Sequence, residues 1–363
     1  MAKKAREIIT DDEVDVASSE QDTNEVPPAD IVAYNELRSC ADLLRMYENK
    51  QLDIQPDFQR DIVWLNPAQT RFIDSLTKQL PIPSMCISLD YKTEKRQVID
   101  GLQRITSIIK FLSDDEWKLS DLDDIDERIS GKSVHTIKTT VKDLYERVQN
   151  ITIPVTVLRC DYAQSRHTEY LFTVFHRLNT GGNRLNNQEI RNCIYNGNFN
   201  TLLKDLVKSK NWSKLMNIKK KGIYRFSHEE IVLRFFAFYD NLANYNGRLA
   251  KFLNSYMHDK RILQEDELAT KTKLFNDTVS IIYERILQNK PMASPSKTKL
   301  EGLLVGIAKN LTHLSNSSDK HIRDLYVDYQ LLDEYSMENL KADLSAKDKV
   351  TNRLNAAITL FSR

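Results

Sequence analysis

The chain has 363 residues, 41% of them hydrophobic and 28% charged, and its 52 Lys plus Arg against 51 Asp plus Glu leave a formal net charge of +1. That length accommodates two domains with ample core, and the charge balance excludes a nucleic-acid-binding signature spread over the whole chain. No apolar run reads as a membrane span or a signal peptide, and Cys40, Cys86, Cys160 and Cys193 lie far apart with no Cys-x-x-Cys pair. The expectation is therefore a cytoplasmic protein without membrane contact, zinc site or disulfide framework.

In chain order, residues 1–30 carry too few large apolar side chains to bury a core and predict a disordered leader. Ser39 predicts the N-cap of a short helix bearing Leu43, Leu44 and Tyr47, followed by extended chain from Gln51 to Ile54. Between Pro56 and Trp64, the polar Asp57, Gln59, Arg60 and Asp61 alternate with large apolar residues, which predicts a network partly inside the fold. Asn66 predicts the cap of a helix with Pro67 at its first position and Phe72, Ile73, Leu76 and Leu80 on its buried stripe, stopped by Pro81 and Pro83. Met85, Ile87 and Leu89 alternate as a half-buried strand, Tyr91 to Lys95 makes a turn, and a return strand leads into Asp100.

The next stretch, Arg96 to Leu112, changes period within two residues of Gly101. Val98 and Ile99 are β-branched, whereas Ile105, Ile108, Ile109 and Leu112 recur at helical spacing, so strand gives way to helix at Asp100 and Gly101. Glycine permits a sharp turn and a close ligand, and a new helix offers unpaired N–H groups and the positive end of its dipole to an anion. Arg104 adds a cation on the border of the buried face and needs an anionic partner. The sequence leaves that partner open between a carboxylate (Asp57, Asp61 or Asp100) and a phosphate.

An acidic insertion follows from Asp114 to Glu127, then a charged stretch from Ser130 to Asn150 with no predicted element. Ile151 to Leu158 predicts a strand, placed at a sheet edge by Pro154. Tyr170, Leu171, Val174, Phe175 and Leu178 define a helix that runs into the polar loop Asn179 to Asn186, and Asn186 with Glu189 predicts a capping box opening a helix that Gly197 closes. The loop is either a plain connection or a ligand-facing one. Beyond it the reading is helical. Ser227 and Glu230 predict a second capping box before Ile231, Leu233, Phe235, Phe236 and Phe238, and amphipathic segments follow at 278–287, 298–314, 321–332 and 350–360. A basic run from Lys204 to Arg225 interleaves lysines with Trp212 and Tyr224, a pattern that suits either a solvated face or a nucleic-acid backbone.

Taken together, Phe58-Gln59-Arg60-Asp61 with Trp64, Asp100-Gly101-Leu102-Gln103-Arg104, and Phe175 to Gly182 with Leu185, Asn186 and Glu189 resemble the N-terminal domain family of GmrSD-type restriction endonucleases across residues 35–200. The family's usual Asp-Gly-Gln-Gln-Arg has Leu102 in place of its first glutamine here. The resemblance implies an α+β chain: a ParB/sulfiredoxin-like nucleotide-binding domain over 31–197, then an all-α domain over 198–363. It implies a stand-alone member, because no late histidine has the spaced Asn and His of an HNH nuclease.

From that resemblance follow the expected roles. Gly101, Leu102, Gln103 and Arg104 would hold the phosphates of a nucleoside triphosphate, with Asn179, Thr180, Gly181 and Arg184 as a second contact segment. Asp100 would position magnesium or the attacking water, and Gln103, Arg104, Gln59 and Arg60 would stabilise charge during phosphoryl transfer. The expected function is an NTP-binding and NTP-hydrolysing module of a modification-dependent defence system, with no nuclease activity in this chain alone. The alternative is a non-enzymatic DNA-binding or adaptor protein regulating a partner nuclease, with Lys208, Lys210, Lys219, Lys220 and Lys221 on the DNA backbone. Expected partners are nucleotide, DNA, a separate nuclease subunit and further copies of the chain.

Overall fold

A computed structural model describes residues 26–54, 64–178, 185–218, 226–293, 296–336, 338–340 and 343–363. The chain is α+β and divides into two compact units, one spanning Val26–Leu185 and one containing Asn186–Arg363. Among the described residues no helix is long and apolar enough to cross a membrane.

The first unit is built on a five-stranded sheet: β1 (Val32–Ser39), β2 (Leu52–Asp53), β3 (Met85–Asp90), β4 (Arg96–Asp100) and β5 (Thr152–Cys160), in the order β1-β5-β3-β4-β2. β1 runs antiparallel to β5, β5 parallel to β3, β3 antiparallel to β4 and β4 parallel to β2. β3 is thus central and buried along its whole length, not on one face as the alternation of Met85, Ile87 and Leu89 suggests. Those three residues face a core shared with α1 (Cys40–Glu48), α2 (Asn66–Thr77), α3 (Leu102–Ser113) and α5 (Lys142–Asn150), while α6 (Ser165–Leu178) packs on β4. The intervening Cys86, Ser88 and Asp90 are buried too, and Ser88 is hydrogen-bonded to Tyr162, which donates to Gln97 at 2.8 Å.

β5 is an internal strand rather than the edge that Pro154 suggests. Its ladder to β3 begins at Val155, so the proline stands one residue before that pairing starts. The edge is β1, a strand with no apolar alternation to betray it, which follows directly from Asp30. That carboxylate meets His167 Nε2 at 3.0 Å, so residues 26–30 of the predicted leader take part in the fold; residues 1–25 lie outside the described residues.

Several caps and stops differ from expectation for local reasons. Ser39 does cap α1, accepting from the Asp42 amide at 3.0 Å. Asn66 does not cap α2; it lies inside the helix, and its side chain accepts from Trp117 Nε1 at 2.6 Å and donates to the Lys118 carbonyl at 3.0 Å. That pair pins the acidic insertion, whose Trp117 and Leu119 are core residues. The stretch after it forms α4 (Val134–Thr140) and α5, because Val134, Ile137, Leu144 and Val148 bury one stripe at helical spacing. α2 ends at Thr77 with Gln79 left-handed, so Leu80 falls outside the stripe and is 48% exposed.

The second unit is helical: α7 (Asn187–Ile194), α8 (Asn198–Val207), α9 (Lys210–Leu215), α10 (Ser227–Asn241), α11 (Leu249–Asp259), α12 (Glu265–Ser280), α13 (Lys297–Lys309), α14 (Leu311–Asn316), α15 (Asp319–Gln330) and α16 (Lys347–Phe361). The predicted capping box of α7 is present, with the Asn186 side chain on the Glu189 amide and the Glu189 carboxylate on the Asn186 amide. Gly197 serves packing: a Cβ there would stand 2.1 Å from the Arg261 carbonyl oxygen. The second predicted box is absent. α10 begins after Phe226 with no side-chain cap, and Glu230 is buried in an ion network instead. α10 is apolar almost all round, as a helix central to a core must be, with Phe235, Phe236 and Phe238 fully buried. Each such ring contributes about 1.5–3 kcal/mol of burial.

Candidate phosphate site at the strand-to-helix turn

The period change at Gly101 marks a real junction: β4 ends at Asp100 and α3 starts at Leu102. Ile105, Ile108 and Phe111 anchor the helix with no exposed surface, so its first turn is fixed against the sheet. A bulge precedes the turn, since Cys86 pairs with Asp100 but Ile87 pairs with Val98, leaving Ile99 as the extra residue. Bulges re-aim the side chains beside them, here Asp100. Burial, with the Asp100 charge nearby, pushes the Cys86 thiol up to about 12, so it stands beside the turn as a protonated packing group.

Gly101 is required on two counts. Its φ is +97°, a region that side-chain-bearing residues rarely adopt, and a Cβ would lie 2.8 Å from Met85 Cγ. As the N-cap of α3 it offers no side chain to the helix, and the first turn holds no acidic residue. The first helical hydrogen bond is from the Ile105 amide to the Gly101 carbonyl at 2.9 Å, so the amides of residues 102–104 precede the ladder. The positive end of the helix is therefore neither capped nor neutralised from within its first turn.

Arg104 occupies that turn, a position where a cation opposes the helix dipole. Its Nη1 donates to the Pro83 carbonyl, and its Nη2 donates to the Ser84 carbonyl at 3.4 Å and to Asp100 Oδ2 at 2.8 Å. Of the carboxylate partners left open by the sequence, Asp100 pairs with Arg104, and Asp57 and Asp61 lie outside the described residues. The guanidinium side chain is 14% exposed while the Asp100 side chain is 41% exposed, so the carboxylate is the solvent-facing half of the pair. Gln103 turns elsewhere. Its Oε1 accepts the Trp64 amide at 3.0 Å, tying the chain just after residues 55–63 to the first turn of α3. Leu102 is half-buried against the core, so its amide is the part that could serve a ligand.

Gln59, Arg60, Asn179, Thr180, Gly181 and Arg184 lie outside the described residues, as do Lys219, Lys220 and Lys221. Lys208 and Lys210 are exposed, and Lys208 meets Asp205 at 3.4 Å. Trp212, the aromatic within that basic run, is fully buried against Phe275 and His228, with ring centroids 5.3 and 6.0 Å away. It is a core residue and offers no face to a base.

Sequence reasoning missed the carbonyls of Pro83 and Ser84 as the grip on Arg104, because main-chain acceptors leave no residue signature. It also missed the ion network around Glu230, for which there was a signal: Glu230 and Arg234 are one turn apart in a helix otherwise apolar all round, so burial obliges them to pair.

The first unit thus joins a hairpin to a glycine turn, a helix without a side-chain cap and a first-turn arginine. Residues 40–196 match the family described as GmrSD restriction endonuclease, N-terminal domain, the family whose motifs the sequence resembles. No curated protein and no solved structure matches the chain.

Proposed function

We propose that the Val26–Leu185 unit binds the phosphates of a nucleoside triphosphate at the Gly101 turn and hydrolyses it with magnesium, driving a restriction-type system whose DNA cleavage belongs to a separate nuclease. The observation that supports this reading is Arg104: a largely buried cation, held by Asp100 and the Pro83 and Ser84 carbonyls, in the first turn of a helix with no side-chain cap and no acidic residue in that turn, so an arriving anion would meet both the cation and the helix dipole. The local residues fit the ligand. Gly101 leaves the approach to the amides clear of a side chain, and Asp100 presents one carboxylate oxygen, Oδ1, with no hydrogen bond among the described residues.

In this reading the amides of Leu102, Gln103 and Arg104 hold phosphate oxygens, and Arg104 exchanges part of its bond to Asp100 for one to phosphate. Asp100 would hold magnesium, which when bound neutralises charge on the phosphate oxygens. Gln103 keeps the chain at Trp64 against the turn. Isothermal titration with each NTP and magnesium tests the binding, and phosphate release from any NTP that binds tests the hydrolysis. Arg104→Ala should weaken binding about tenfold to a hundredfold, the worth of one charge-assisted hydrogen bond. Affinity unchanged in that variant would remove the turn from consideration.

A further inference from the structure

We infer that β1 is a seam at which two copies of this chain pair edge to edge, carrying the sheet of one copy into the other. Among the described residues β1 has a single neighbour, β5, although it runs for 8 residues. The opposite edge, β2, has only 2. Shortness, bulges, prolines and lysines are what commonly keep a sheet edge from pairing with another chain. β1 has none of them, and its register with β5 is unbroken from Val32 to Ser39. Along it Val32, Tyr34 and Leu37 are 46%, 38% and 68% exposed. Its two charges cancel locally, since Arg38 Nε and Nη2 each donate to the Glu36 carboxylate at 2.7 Å.

The ladder fixes which main-chain groups face outward. The Cys40 amide donates to the Ile151 carbonyl at 3.1 Å, in the same register as the strand pairs. Antiparallel ladders bond alternate residues, so Val32, Tyr34, Glu36 and Arg38 direct their main-chain groups to β5, while Ala33, Asn35 and Leu37 turn theirs to the open side. A second copy related by a twofold axis meets those same groups in antiparallel order. Centred on Asn35, the pairing sets Asn35 against its own copy and Leu37 against Ala33, with Tyr34 opposite Glu36 and Val32 opposite Arg38. Every outward group of the three residues is then bonded, the Leu37 side chain is covered, and no like charges meet. Centring on Glu36 would oppose two carboxylates, which destabilises a cross-strand pair. Centring on Tyr34 would place Leu37 opposite Ile31, beyond the end of the strand. The strand is complementary to itself in one register, and that selects a second copy as its occupant.

Cysteine cross-linking of the full chain reads that register, against a background of native Cys40, Cys86, Cys160 and Cys193 that are all buried. Directly opposed, bonded residues have Cα atoms about 5.5 Å apart, within reach of a disulfide, so Asn35→Cys should give a linked dimer under mild oxidation. Leu37→Cys is the control: its two copies stand roughly 13 Å apart along the strands, so it should stay unlinked alone and link when mixed with Ala33→Cys. Sedimentation equilibrium over a concentration series should show the wild type dimerising and Leu37→Pro doing so about tenfold more weakly or worse. The proline removes an outward donor and leaves the bonds to β5 in place. Leu37→Lys blocks the edge by charge and serves if the proline variant does not fold. A monomeric wild type, a dimer that Leu37→Lys leaves unchanged, or Leu37→Cys linking as readily as Asn35→Cys overturns the proposal. Hydrogen-exchange protection of the Ala33, Asn35 and Leu37 amides in a monomer would assign the edge to another segment of the chain and overturn it equally.

Discussion

Asp100 Oδ2 and Arg104 Nη2 stand 2.8 Å apart across the first turn of α3, a carboxylate before the glycine and a guanidinium after it. With Asp100 41% exposed, solvent screens the pair, and Arg104 keeps the Pro83 and Ser84 carbonyls without it, so the pair contributes about 0–1 kcal/mol to stability. Asp100→Asn should leave the melting temperature nearly unchanged. It should tighten magnesium-free NTP binding, because the competing carboxylate charge is gone, and abolish the gain in affinity that magnesium gives the wild type. Titrations with and without magnesium check both; an identical magnesium effect in the variant would exclude Asp100 as the metal-facing group.

Gly101→Ala tests the turn as a structural element. The φ of +97° and the 2.8 Å approach to Met85 Cγ both act against a methyl group, so the variant should lose about 1–3 kcal/mol in urea denaturation. Adding Met85→Ala relieves the clash but not the backbone conformation, so it should not restore stability. A fully stable Gly101→Ala would mean that the turn rearranges freely.

His228 sets a pH dependence in the helical unit. Burial lowers its pKa from 6.5 to about 4, and it packs edge-on against Trp212 at 6.0 Å. Above pH 6.5 it is neutral whether folded or not, and stability is at its full value. As the pH falls from 6.5 toward 4 the unfolded chain takes up a proton that the folded chain refuses, so stability drops by on the order of 3 kcal/mol across that window. His228→Phe should flatten this slope while preserving the ring contact. Denaturation curves at intervals between pH 7 and 4 decide the matter, and equal slopes in both proteins would contradict it.

Glu230→Gln leaves Arg191, Arg234 and Lys297 with their shared carboxylate neutralised. Removing one partner of a buried ionic group costs about 3–5 kcal/mol, far more than an exposed pair would. The urea midpoint should fall accordingly with the slope unchanged. A loss below about 1 kcal/mol would show that these cations are balanced without Glu230.

What the sequence disclosed and what it hid follow from the range of the forces involved. The β4–α3 junction and the Asn186–Glu189 box were legible because glycine, capping residues and apolar period act within a few residues. The full burial of β3 was not, since Ser88 and Asp90 read as solvent-facing until Tyr162 and the turn residues Lys92 and Thr93 supply their partners. Glu230 was misread as a cap for the same reason: its partners Arg191 and Lys297 come from helices far away in sequence. Trp212 stands within a basic run that suits a solvated face or a nucleic-acid backbone, and only the tertiary packing of Phe275 on it shows a core residue. At the candidate site the chain disclosed the glycine and the arginine, whereas the grip of the Pro83 and Ser84 carbonyls depends on where β3 begins.

The most direct measurement is calorimetric titration of the intact chain with NTP and magnesium, comparing the wild type with Arg104→Ala. An arginine and bare helix amides gripping phosphate predict saturable binding by at least one NTP, weakened tenfold to a hundredfold by the substitution. Failure of every NTP to bind, or equal affinity in the two proteins, would contradict a phosphate site at Gly101.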